Sequence, residues 1–73
     1  MMIRMPLSKR ASNVLLGIGL QNDLDLMQEI RSLGFSQFRI HILKIPGCGR
    51  GTTNEIMDHA SDYAFRMLDY HHD

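Results

Sequence analysis

The residues with the clearest chemical potential lie in a glycine-rich stretch two thirds of the way along the chain. Pro46 ends the preceding segment, Gly47 and Gly49 bracket a turn, and Arg50 and Thr52 follow. If a helix starts here, its first amides have no internal partners, and with a guanidinium and a hydroxyl beside them they form a site for an anion such as phosphate. The alternative is a glycine-rich turn that joins two packed helices and binds no ligand.

A second pair of candidate residues, Arg10 and Asn13, lies near the start of the chain. Ser8 is suited to cap a helix over residues 8–16, in which apolar residues recur at spacings of three and four. Arg10 and Asn13 are three positions apart, so they lie on one face of that helix.

The charges are divided unevenly along the sequence. Residues 1–53 carry seven basic and three acidic side chains, and residues 54–73 carry one basic and five acidic ones. Such a division can give one basic face for phosphates and one acidic face elsewhere. The alternative is that the surface charges of a small domain happen to be segregated.

The composition limits the class of protein. A chain of 73 residues with 44% hydrophobic residues is long enough for one folded domain and no second. Its single cysteine excludes an internal disulfide and favours a reducing compartment, so we expect a cytoplasmic protein. No apolar run approaches the roughly 18 residues of a membrane span. No group of residues suggests catalysis, so we expect a binding module that is not an enzyme and has no cofactor.

Glycine and proline divide the rest of the chain into three further segments. Residues 23–33 are predicted to form a helix, with Asn22 as its N-cap and Gly34 as its stop. Asp23 and Asp25 fall in its first turn, where the helix dipole favours acids.

The segment of residues 36–45 fits two kinds of secondary structure. Phe38, Ile40 and Ile42 alternate with polar residues, as in a strand. Phe38 and Ile42 also fit a helix, which Pro46 would end. We favour the short helix.

The last segment, from residue 54 to about residue 70, has apolar and charged residues on opposite sides and is predicted to be an amphipathic helix. Thr52 or Thr53 can supply its cap. We expect one core to contain these apolar residues: Val14, Leu15, Ile45, Ile56, Ala60 and Tyr63.

Residues 7–60 resemble the C-terminal domain of the bacterial RNA polymerase alpha subunit. The resemblance rests on Leu-Ser-Lys-Arg-Ala-Ser-Asn-Val-Leu at residues 7–15 and on Lys-Ile-Pro-Gly-Cys-Gly-Arg-Gly-Thr-Thr-Asn-Glu-Ile at residues 44–56. It implies a compact helical domain ending in a helix-hairpin-helix. It also implies binding to the minor groove of A·T-rich double-stranded promoter DNA and docking of transcription activators.

The resemblance assigns roles residue by residue. Arg10 matches the family's principal DNA-contacting arginine, and Asn13 matches its asparagine three positions later. Gly49 matches the hairpin glycine whose backbone approaches DNA. The full set of candidate DNA-binding residues is Arg10, Asn13, Val14, Lys44, Gly49, Arg50, Thr52 and Glu55.

The chain also departs from the family. Gly51 stands where the family has a lysine, which removes one phosphate contact that Arg50 can replace. The segment of residues 20–46 is longer than in the family. The start at Met1 and the absence of linker composition predict a free-standing relative rather than an excised piece.

Two other features could suggest chemistry. Cys48 lies between two glycines, where we expect a small buried hydrophobic side chain rather than a reactive thiol. His59, His71 and His72 could suggest a metal, but His71 and His72 are adjacent and no second cysteine supports them, so we expect a solvated tail and no metal site.

Together these observations predict an all-α domain of four to five helices over residues 7–70, with flexible ends at residues 1–6 and 71–73. Its expected function is DNA binding in a transcription setting. The alternative is a module that docks on RNA polymerase, a sigma factor or a transcription regulator without significant DNA binding. Neither hypothesis involves a membrane.

Overall fold

The chain forms a helical domain. The computed structural model describes residues 7–72, with side chains described as far as Met67. The described residues contain four helices and no strand, namely α1 (Lys9–Gly17), α2 (Asp23–Leu33), α3 (Phe35–Leu43) and α4 (Arg50–His72). The prediction of an all-α domain is therefore confirmed. None of these helices has both the length and the apolar character needed to cross a bilayer.

The first two helices begin where the sequence predicts. Ser8 Oγ accepts a hydrogen bond from the Ala11 amide at 3.2 Å, and Asn22 Oδ1 accepts one from the Asp25 amide at 2.8 Å. Each side chain satisfies one amide that a helix leaves unpaired at its start. Both predicted N-caps are therefore confirmed.

A single residue separates α2 from α3. Gly34 has a backbone φ of 91°, a conformation that residues other than glycine rarely adopt. Its amide donates a hydrogen bond to the Ile30 carbonyl at 2.6 Å. The segment of residues 36–45, which fits both a helix and a strand in sequence, contains helix α3, so the favoured prediction is confirmed and the strand alternative is wrong. Phe38 and Ile42, one turn apart, are fully buried, whereas Ile40 is exposed, so one helical face and not alternate residues reaches the core.

The start of α4 differs from the prediction. The helix begins at Arg50 rather than near residue 54, and the Thr53 amide donates to the Gly49 carbonyl at 2.9 Å. The predicted cap at Thr52 or Thr53 is therefore wrong. Both threonines lie inside the first turns with their side chains buried, and Thr53 Oγ1 is 3.4 Å from Cys48 Sγ. The two threonines therefore pack against the core instead of capping the helix.

All four helices contribute to the core. Ile45 packs against it and is partly buried, whereas Tyr63 is half-buried and lies outside the core cluster. Val14, Leu15, Ile56 and Ala60 are confirmed as core residues, and so is Cys48 as a buried side chain. The buried hydrophobic residues are Ala11, Val14, Leu15, Leu26, Ile30, Phe38, Ile42, Cys48, Ile56 and Ala60.

The predicted flexible ends fall mostly at the limits of the described chain. Residues 1–6 and Asp73 lie outside the described residues. His71 and His72 belong to the last turn of α4 rather than to a separate tail.

Candidate nucleic-acid interface

One side of α1 faces solvent and carries the candidate polar residues. Arg10 and Asn13 are both exposed, while Ala11, Val14 and Leu15 on the other side are buried. The core therefore fixes the rotation of α1 about its axis. This rotation directs the guanidinium and the amide side chain outward from one face.

The turn before α4 is anchored to the core. The Cys48 amide donates to the Ile45 carbonyl at 2.9 Å, and the Cys48 side chain is buried. Gly47 has a φ of 87°, so glycine is needed at this position of the turn. Burial of Cys48 therefore fixes the position of this turn, and with it the position of the first amides of α4.

Two hollows lie beside these elements. The first, the α1–turn hollow, has a volume of roughly 580 Å³ and separates α1 from the turn. The second, the α4-start hollow, has a volume of roughly 450 Å³ and lies between the starts of α1 and α4. Arg10 lines both hollows. The α1–turn hollow is lined by Lys9, Arg10, Asn13, Val14, Gly17, Ile18, Ile45, Pro46 and Gly47, and the α4-start hollow by Ser8, Arg10, Gly49, Gly51, Thr52 and Glu55.

The backbone at the start of α4 is open to an approaching molecule. A Cβ atom added at Gly49 or Gly51 would meet no heavy atom within 4 Å. Because Thr53 donates the first hydrogen bond within the helix, the amides of Arg50, Gly51 and Thr52 have no partner from the helix itself. These three amides form the positive end of the α4 dipole.

Glu55 makes contacts that the sequence did not predict. Its Oε2 accepts a hydrogen bond from the Ser8 amide at 2.6 Å, and its Oε1 accepts one from Ser8 Oγ at 2.9 Å. The carboxylate therefore fastens the first turn of α1 to the second turn of α4. It also puts a negative charge on the wall of the α4-start hollow, which weakens an anion site there.

The other candidate residues differ in how much surface they present. Lys44 and Arg50 are exposed but line neither hollow. Val14 is buried and forms part of the floor of the α1–turn hollow. Thr52 is only 8% exposed, so little of its hydroxyl side chain is available to a ligand.

A buried polar pair lies away from the two hollows. His59 on α4, only 3% exposed, bonds through Nε2 to Asp23 Oδ1 on α2 at 2.8 Å. Among the described residues, neither His59 Nδ1 nor Asp23 Oδ2 has a hydrogen-bond partner. The buried imidazole therefore joins α2 to α4. In the described part of the chain, no three metal-binding side chains are close enough to hold a metal ion.

The chain matches no protein-family model, and comparison with characterised proteins and with solved structures gives no significant match.

Proposed function

We propose that the chain binds double-stranded DNA through the exposed face of α1 and the start of α4. The observation that carries the proposal is the position of Arg10, which lines both the α1–turn hollow and the α4-start hollow. Arg10 therefore lies between the exposed polar face of α1 and the unpaired amides at the start of α4. The same two segments carry the resemblance to the C-terminal domain of the RNA polymerase alpha subunit.

In this proposal α1 reads the minor groove. A narrow A·T-rich minor groove concentrates negative potential, which favours an inserted arginine. Asn13, one turn from Arg10 on the same exposed face, can donate to the adenine and thymine acceptors on the groove floor. Neither side chain forms a hydrogen bond or ion pair with another described residue, so both are available to a ligand.

The start of α4 would hold a phosphate beside the groove. The amides of Arg50, Gly51 and Thr52 supply donors without a side chain at Gly51 to obstruct them. Phosphate contacts of this kind fix the register of a protein on the duplex but carry no sequence information. The two parts of the interface therefore have separate tasks.

Two features keep the expected affinity low. Gly51 supplies no charge where the family has a lysine, and the Glu55 carboxylate lies on the wall of the same hollow. Few phosphates can then be neutralised, so we expect a dissociation constant near the roughly micromolar values of non-specific binding.

A titration of the full chain with two labelled duplexes, one A·T-rich and one G·C-rich, tests the proposal. Fluorescence anisotropy at several salt concentrations should give tighter binding to the A·T-rich duplex and a shallow salt dependence, with a slope of about −0.9 per contacted phosphate. Failure to bind either duplex in low salt would contradict DNA binding.

The same two features support a second candidate function. With Gly51 and Glu55 at the start of α4, the surface can serve as a docking site for a protein of the transcription machinery, such as RNA polymerase or one of its regulators. This candidate predicts no binding to either duplex. It takes the place of DNA binding if the titration gives that result.

A further inference from the structure

A third concave surface, the apolar groove, lies between α2 and the C-terminal half of α4. Its volume is roughly 590 Å³, and it shares no residue with either of the two hollows described above. It therefore needs an explanation of its own. The groove is lined by Leu24, Met27, Gln28, Ile30, Arg31, Gly34, Phe35, Tyr63, Ala64 and Met67.

The rims of this groove are large apolar side chains in contact with solvent. Leu24 is 59% exposed, Phe35 is 43% exposed and Met67 is 39% exposed. Because these three side chains border one groove, they form a continuous apolar surface, and such a surface can bind an apolar partner. Because the rims are so exposed, the groove is an open trough rather than an enclosed cavity, and this shape suits an elongated partner.

The length of the apolar groove matches a helix of about two turns. On α2 the lining extends from Leu24 to Arg31, which are seven positions apart, so this wall is about 10 Å long. An amphipathic helix binds such a groove through apolar anchors at positions i, i+3 or i+4, and i+7.

The charge at the groove selects the kind of helix. Among the described lining residues, Arg31 is the single charged side chain, and it is exposed. In a symmetric dimer that pairs groove with groove, the surface opposite Arg31 would consist of the same lining residues, and none of those described is acidic, so Arg31 would meet no opposite charge there. An acidic residue beside the apolar stripe of a different protein would complement Arg31 instead.

We propose that the apolar groove binds an amphipathic helix of another protein, with apolar anchors over about two turns and an acidic residue at the edge that meets Arg31. The surface is independent of the proposed DNA interface. A chain with both surfaces could hold DNA with one and a helical partner with the other.

Two synthetic helical peptides of about 14 residues test this proposal. Both carry leucine anchors at i, i+4 and i+7, and they differ only in a glutamate or a lysine at the flanking position. Binding to the isotopically labelled chain is followed by amide chemical shifts, which should move in α2 and in residues 63–67. We expect the glutamate peptide to bind roughly three- to fivefold more tightly, as for an exposed ion pair.

Variants of the chain make the test specific. Arg31→Glu should reverse the preference so that the lysine peptide binds more tightly. Leu24→Gln should weaken both peptides at least tenfold, while Leu16→Gln, at an equally exposed leucine outside the groove, should change neither. Thermal melting confirms that each variant is folded.

Three results would overturn the proposal. These are shifts confined to other surfaces, an equal effect of the Leu24 and Leu16 variants, and a concentration-dependent dimer in sedimentation that Leu24→Gln abolishes. The last result would assign the groove to a second copy of the chain. Because no DNA is present, a failure here leaves the duplex titration unaffected, and the reverse also holds.

Discussion

The Glu55 carboxylate on α4 accepts two hydrogen bonds from Ser8, at the start of α1, although the two residues are 47 positions apart. Ser8 in turn caps α1 by accepting a hydrogen bond from the Ala11 amide. The cap of one helix is thereby held by a side chain of another. Since Arg10 lies two positions after Ser8, this link holds the backbone that carries Arg10 beside α4.

Glu55→Ala should therefore lower the free energy of unfolding by about 1 kcal/mol, because the two hydrogen bonds are at an exposed site where water replaces them in part. Urea denaturation measures this loss. Asp58→Ala, which removes an exposed acid from the same helix, is the control and should cost less than about 0.5 kcal/mol. Equal losses in the two variants would mean that the link to Ser8 contributes nothing.

Gly51 offers a test in the direction of gained function. It is in the first turn of α4 without a positive φ, and a side chain there meets open space. Gly51→Ala should stabilise the chain by up to about 1 kcal/mol, because alanine favours the helix over glycine, and Gly51→Lys should stabilise it less, because a cation in the first turn opposes the helix dipole. Only Gly51→Lys should also tighten duplex binding and steepen the salt slope by about one. If the lysine variant bound DNA no better than the alanine variant, no phosphate would lie at this site.

Substitutions of Arg10 and Arg50, the two arginines at the proposed interface, should change DNA binding in different ways. Arg10→Ala should remove most of the preference for the A·T-rich duplex, because it deletes the minor-groove contact. Arg50→Ala should weaken both duplexes evenly and lower the salt slope by about one. Arg31→Ala removes the same charge from the apolar groove, which shares no residue with either hollow, whereas Arg50 is the first residue of α4; the Arg31 variant should therefore change binding little. Three identical titration curves would reduce the interface to general charge attraction.

The buried pair of His59 and Asp23 predicts a stability effect that depends on both partners. Asp23→Ala leaves the imidazole buried with no partner at Nε2, and should cost about 2 kcal/mol. Asp25→Ala, in the same first turn but at an exposed hydrogen bond, should cost less than about 1 kcal/mol. In a double-mutant cycle with His59→Leu, the two losses should be clearly less than additive. Additive losses would show that the pair does not interact.

The sequence predicts the local features of this fold well. Ser8, Asn22 and Gly34 act at the ends of their own helices, so residue type and position were enough to locate α1 and α2. The start of α4 was misplaced because the threonines beside it are usual N-cap residues. In this structure both threonines are buried, and the helix begins at Arg50.

The long-range contacts could not be predicted in this way. Glu55 and Ser8, like His59 and Asp23, are joined only because α4 packs beside both α1 and α2. A single sequence contains no spacing rule for pairs 47 and 36 positions apart. Arg10 and Asn13 were identified as one face from helical spacing, whereas the hollows that Arg10 lines depend on tertiary packing.

The one-residue connection at Gly34 has a consequence for the order in which the domain assembles. Helices α2 and α3 can pack while the rest of the chain is still unfolded, since bringing them together closes a very short loop. Docking of α1 on α4 closes a far longer loop and so loses more chain entropy, so we expect this contact to form later than the α2–α3 contact. Because Arg10 is on α1, release of that helix alone would take apart the proposed DNA interface while the α2–α3 corner stays folded.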